Sequence, residues 1–130
     1  MAVKVVDASS VIALMFDEPE GERVALQIEG ATLCAPALLG FEIVNACVTR
    51  LRRRPDLRDE ILEAFTLEGG LAIEPAEVDH AGVLALAHRF GLTGYDASYL
   101  WLAQRLDAEL VTLDRPLGRA AAALGLGQPP

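Results

Sequence analysis

Positive charge is scarce in this chain. It has 11 lysines and arginines against 19 aspartates and glutamates, a net charge of −8, and Lys4 is its one lysine. A surface of that sign repels phosphate. A nucleic-acid partner would therefore need either a local basic patch or a divalent cation between it and the protein. Histidine is scarce too, and His80, His88, Cys34 and Cys47 fall in no zinc-ligand spacing. The two cysteines lie in apolar surroundings outside any CxxC pattern and read as reduced, buried thiols. No apolar run nears the roughly 20 residues of a membrane span. The chain opens on strand-like residues without a basic leader and cleavage site, so the expected compartment is the cytoplasm and no membrane partner is expected. Internal repeats, low-complexity tracts and linkers are also absent from the sequence.

What is abundant is apolar. Hydrophobic residues make up 52% of 130 residues, enough to bury one core, and a single domain over 1–130 is expected. The β-branched run at Val3 ends in Asp7, Ser9 and Ser10, and helical periodicity follows over 11–16. Further helices are predicted over 20–28, 36–54, 56–68, 76–90, 95–106 and 115–124, and strands over 32–35, 71–73 and 109–113. Pro36 is expected in the first turn of the third helix, whose faces are apolar nearly all round, and Gly69 and Gly70 are expected to end the fourth. The tail after Leu124 offers at most a token edge strand. Alternating strands and helices indicate a three-layer α/β/α domain around a short, mostly parallel sheet of four or five strands.

Four carboxylates then fall at strand ends or helix starts: Asp7 and Asp114 after strands, Asp96 at the head of a helix, and Glu42 within the apolar run F-E-I-V. Taken singly, three have ordinary readings. Asp7 and Asp114 suit helix N-caps, and Thr93 with Asp96 suits a capping box. Glu42 is harder to explain, because a buried, unpaired carboxylate costs several kcal/mol and needs a cation, a donor network or an opening to solvent. It shares a stripe with Asn45 and Thr49. Taken together, and with hydroxyls at Ser9 and Thr112, the four acids fit a hard-cation site for magnesium, with manganese as substitute. Such a site serves phosphoryl chemistry.

The sequence resembles the PIN-domain ribonucleases, in particular the VapC-type toxins of bacterial toxin–antitoxin pairs. The resemblance runs from Val3 to the final helix and is carried by V-V-D-A-S-S at Asp7, F-E-I-V-N-A at Glu42, Y-D-A-S-Y-L-W-L-A at Asp96 and L-V-T-L-D-R-P-L at Asp114. It implies a PIN-like fold in which Asp7, Glu42, Asp96 and Asp114 bind magnesium and catalyse, supported by Ser9, Asn45 and Thr112. It also implies cleavage of RNA, a homodimer and a VapB-like antitoxin that blocks the site.

Two features stay open on sequence alone. Arg50, Arg52 and Arg53 belong to the one dense basic cluster, which is either an ordinary charged helix end or a phosphate-binding rim, and Arg115 beside Asp114 is a second RNA-binding candidate. Tyr95, Tyr99 and Trp101 read as core or dimer contacts more readily than as base-stacking groups. Three rival functions remain: a phosphatase with Asp7 as nucleophile, a receiver-like phosphoacceptor, and a catalytically inactive acidic-pocket binding module. The first wants a second acid where Ser9 stands. The second wants a lysine after a late strand, whereas Lys4 lies on the first.

Overall fold

The structure, a computed structural model, describes residues 2–68 and 70–127. Four short strands form one parallel sheet in the order β3-β2-β1-β4: β1 (Val3–Val6), β2 (Thr32–Pro36), β3 (Ile73–Ala76) and β4 (Glu109–Val111). β1 is central, with Val5 opposite Cys34 on one side and Leu110 on the other. Because every strand runs the same way, all carboxyl ends reach one edge, where such sheets bind ligands.

Helices cover both faces in three layers, as expected. On one face α6 (Gly94–Leu106) crosses β1, β2 and β4, with α5 (His80–Phe90) and α7 (Arg115–Ala123) beside it. On the other, α1 (Ala8–Met15), α2 (Gly21–Ile28), α3 (Leu39–Arg53) and α4 (Arg58–Glu68) pack on one another. The core is continuous from Val5, Val6 and Val11 to Leu100, Ala103 and Leu117. Both cysteines are buried and free.

Several boundaries differ from expectation, each for a local reason. Pro36 ends β2 rather than starting α3. It lies beyond Cys34, the last residue of β2 registered with β1, so its missing N–H breaks no ladder there. α3 begins at Leu39 and Glu42 stands in its first turn, not deep within it. Only one stripe of α3, through Leu39, Ile43 and Cys47, is buried, while Phe41 and Val44 face outward. β3 shifts forward to include Pro75, which an edge strand tolerates, and α5 starts at His80 behind the cap Asp79. A single 3-10 turn over Pro55–Leu57 precedes α4. Leu84, Leu106 and Ala25, which helical spacing alone assigns to inner faces, are exposed. Gly69 and residues 128–130 lie outside the described residues. Within 125–127 there is no strand, and the Leu110 N–H donates to the Leu126 carbonyl at 2.6 Å.

Candidate active site

β4 stops two residues early because side chains take over its hydrogen bonding. The Leu113 N–H donates to Ser9 Oγ at 2.9 Å and the Asp114 N–H to Thr112 Oγ1 at 3.0 Å. Each hydroxyl, having accepted from backbone, points its own proton at Asp7. Ser9 donates to Oδ1 at 2.7 Å and Thr112 to Oδ2 at 2.5 Å. The Ser10 N–H adds a third bond, to Oδ1 at 3.1 Å, and this is the helix cap read from sequence. Asp7 is only 4% exposed. Burial pushes its pKa up, while the hydroxyls of Thr112 and Ser9 and both donors of Ser10 pull it back.

Glu42 is half-buried, and its one hydrogen-bond partner among the described residues is the hydroxyl of Tyr99, donating to Oε1 at 2.5 Å. No arginine or lysine neutralises it there. Burial raises its pKa first, the tyrosine opposes this, and the charges of Asp96 and Asp7 raise it further. Tyr99, almost wholly buried, has its own pKa driven far above the ordinary phenol value by burial and by Glu42.

Asp96 sits in the first turn of α6, which Thr93 caps through the Asp96 N–H at 3.1 Å. Its carboxylate lies against the Thr93 side chain. Burial and the charges of Asp114 and Asp7 raise its pKa, and Thr93 partly lowers it. Asp114 caps α7 through Oδ2, which accepts from the Leu117 N–H at 2.9 Å, and Oδ1 is unused among the described residues. Mutual repulsion thus links all four acids at one sheet edge. Each also stands at the N-terminal end of a helix, where the helix dipole favours negative charge.

Among the described residues no three acidic, histidine or cysteine side chains form a ready-made cage for one ion. Magnesium takes oxygen ligands, commonly one or two carboxylates together with several waters. The donor chemistry therefore fits the expected metal: oxygens only, several unused, and no protein cation competing for them.

The remaining expected residues are placed as follows. Asn45 is exposed, one turn along α3 from Glu42. Arg50 is committed elsewhere, to Glu18 at 3.2 Å and over the Phe16 ring at 3.8 Å. Arg52 and Arg53 are exposed, but the rise of an α-helix sets Arg53 about 16 Å along α3 from Glu42. Arg115 is exposed beside Asp114. Sequence reasoning overlooked Ser10, whose buried hydroxyl lies 3.1 Å from Asp7 Oδ1 and 2.7 Å from the Val111 carbonyl. It also assigned Tyr99 to the core without its bond to Glu42. The spacing Y-D-A-S-Y, which sets Tyr99 three residues after Asp96 on one helix face, held that signal.

A parallel three-layer domain with four acids at its carboxyl edge defines a class, and comparison with known proteins agrees: the PIN domain family matches residues 4–123. The chain belongs to the PIN-domain family. Within it the chain is of the VapC type, being 32% identical over 125 residues to Ribonuclease VapC3 of Pyrobaculum aerophilum, a match spanning 92% of this chain and 95% of that one. It is also similar to the crystal structure of PAE2754 from Pyrobaculum aerophilum, with a TM-score of 0.67 and 25% identity, covering 92% of this chain and 79% of the other.

Proposed function

We propose that the protein is a magnesium-dependent endoribonuclease toxin acting in the cytoplasm, held in check by a VapB-like antitoxin. The observation that carries this is the set of unused carboxylate oxygens on Asp96, Glu42 and Asp114, at one edge with no protein cation to neutralise them. Those three residues and Asp7 would hold magnesium, or manganese in its place. When bound, the ion supplies an activated water and neutralises charge growing on the phosphodiester.

The protein's own groups do the rest. Ser9, Ser10 and Thr112 fix Asp7 in one orientation and offset part of the burial that raises its pKa. Tyr99 fixes Glu42. Asp96, its pKa raised by burial and by the charges of Asp114 and Asp7, is the group suited to accept the proton of the attacking water. Asn45, exposed one turn along α3 from Glu42, would support the site. An antitoxin presenting basic residues would complement the acidic edge. The exposed Phe41 on α3, 78% accessible, with Val44 beside it, supports a homodimer.

The geometry disfavours the rivals. Lys4, the lysine a receiver-like module would need at the site, donates instead to the Gln27 carbonyl and pairs with Glu109 at 3.1 Å. At the position where a phosphatase needs a second acid, Ser9 donates to Asp7.

The test is incubation of the pure protein with mixed structured RNAs, with magnesium or with EDTA, beside a folded Asp7→Asn variant. Cleavage is expected with magnesium alone. In the variant it should fall by more than the roughly 10–100-fold that losing a metal ligand's outer partner costs. Cleavage that survives EDTA would overturn the mechanism.

A further inference from the structure

Beside the carboxylates, between α2 and α7, a cleft of about 970 Å³ runs along the outer edge of β4. Its inner end is formed by Ser9, Thr112 and Asp114, so it is continuous with the acid cluster. Its floor is apolar, from Ile12, Leu110 and Leu113. Its walls carry Arg115 at the start of α7 and Arg23 in the first turn of α2.

These two arginines are open to a ligand. Lys4, Arg50, Arg54 and Arg58 are each held by a carboxylate, whereas neither Arg23 nor Arg115 takes part in an ion pair among the described residues. Of the two glutamates lining the cleft, Glu18 is paired with Arg50, and Glu20 is exposed without an ion pair among the described residues. Exposed guanidinium groups without an ion pair among the described residues, on a cleft that opens onto the acid cluster, are available to an anion from outside.

We propose that this cleft is the track for the RNA strand leading away from the scissile phosphate, with Arg115 and Arg23 contacting its successive phosphates. The inference rests on the ribonuclease reading and deepens it. An acidic centre repels the phosphates on either side of the one it cuts, so cations must hold the strand close by. Arg115 and Arg23 adjoin the centre, whereas Arg52 and Arg53 stand at the far end of α3. Among the described residues no aromatic side chain lines the cleft, so it holds the strand by charge and by ribose contact with the apolar floor. Binding there is therefore tolerant of sequence and sensitive to salt.

The experiment uses an RNA that the wild-type protein cuts, and compares Arg23→Ala and Arg23→Lys with Arg89→Ala, an equal change of charge on α5 where Arg89 lies over Phe90. For Arg23→Ala, kcat/KM should fall several-fold with kcat at saturation unchanged. The slope of log kcat/KM against log salt should flatten by about 0.7, one phosphate contact on a single strand. Arg23→Lys should restore the slope. One uncharged methylphosphonate linkage beside the scissile bond should impair the wild type and cost Arg23→Ala nothing more. If Arg23→Ala and Arg89→Ala behave alike, or every methylphosphonate impairs Arg23→Ala as much as wild type, the track is wrong while the ribonuclease reading stands. If the wild type cuts no RNA with magnesium, both fall.

Discussion

Asp7 accepts a helix-capping bond on Oδ1 and remains fit to bind a cation, because among the described residues Oδ2 accepts from Thr112 alone. The sequence set these roles against each other, and the geometry makes them compatible at Asp7 and again at Asp114. What a linear reading could not supply was direction. That Ser9 and Thr112 donate to Asp7 follows only once the Leu113 and Asp114 N–H groups are seen to occupy their oxygens. Tyr99 was hidden for a related reason, since a tyrosine on an apolar helix is ordinary until its hydroxyl is found against a carboxylate 57 positions away. It acts here as a positioning residue for Glu42. Tyr99→Phe keeps the ring and removes the bond, so the magnesium affinity measured by calorimetry should drop by roughly tenfold, the lower end for an outer partner of a metal ligand. Cleavage at saturating magnesium should recover most of its rate. A lower thermal midpoint with an unmoved magnesium titration would make Tyr99 a packing residue only.

At the scale of elements, strands and helices were legible wherever a period persisted, and the errors gather where a proline or a side-chain bond overrides it. Pro36 and Pro75 both lie in strands, Pro36 past the last residue registered with β1 and Pro75 on the edge strand β3. The outward apolar side chains of α3 could not be told from core ones, because periodicity identifies faces but not which of two apolar faces is covered. The pairing of α5 with α6 was invisible for the opposite reason: it depends on an atom that is absent. A Cβ on Gly82 would stand 2.3 Å from Trp101 Nε1 and 2.7 Å from Cδ1, so glycine is what allows the two helices to approach. Gly82→Ala must move the indole or part the helices, at a cost of about 1–3 kcal/mol. We expect a thermal midpoint lower by several degrees and a shifted emission from Trp101, the chain's single tryptophan. Because α6 also carries Asp96 and Tyr99, magnesium binding should weaken in the same variant. An unchanged midpoint would show that the indole swings aside freely.

For the molecule as a whole, the acidic edge is a cost that folding carries until a cation arrives. Asp7, Glu42 and Asp96 all have pKa values raised above 3.8, 4.5 and 3.8, with burial as the first cause in each. The sign follows from linkage. A carboxyl group with a raised folded pKa binds protons in the folded state at a pH where the unfolded chain has released them, so stability falls as pH rises through the folded value. Glu68, also raised by burial, adds in the same direction. Asp56 is lowered by Arg54, but that exposed pair opposes the trend only weakly. In EDTA the thermal midpoint should therefore be higher near about pH 5 than near about pH 7.5. Asp96→Asn removes one charge from the cluster and should narrow that gap. Magnesium at the higher pH should restore stability, by about 2.7 kcal/mol at a hundred times its dissociation constant, and should do so less in the variant. A midpoint that climbs steadily to neutral pH in EDTA, with no response to magnesium, would mean that the four carboxylates are already compensated within the fold and have no need of a metal.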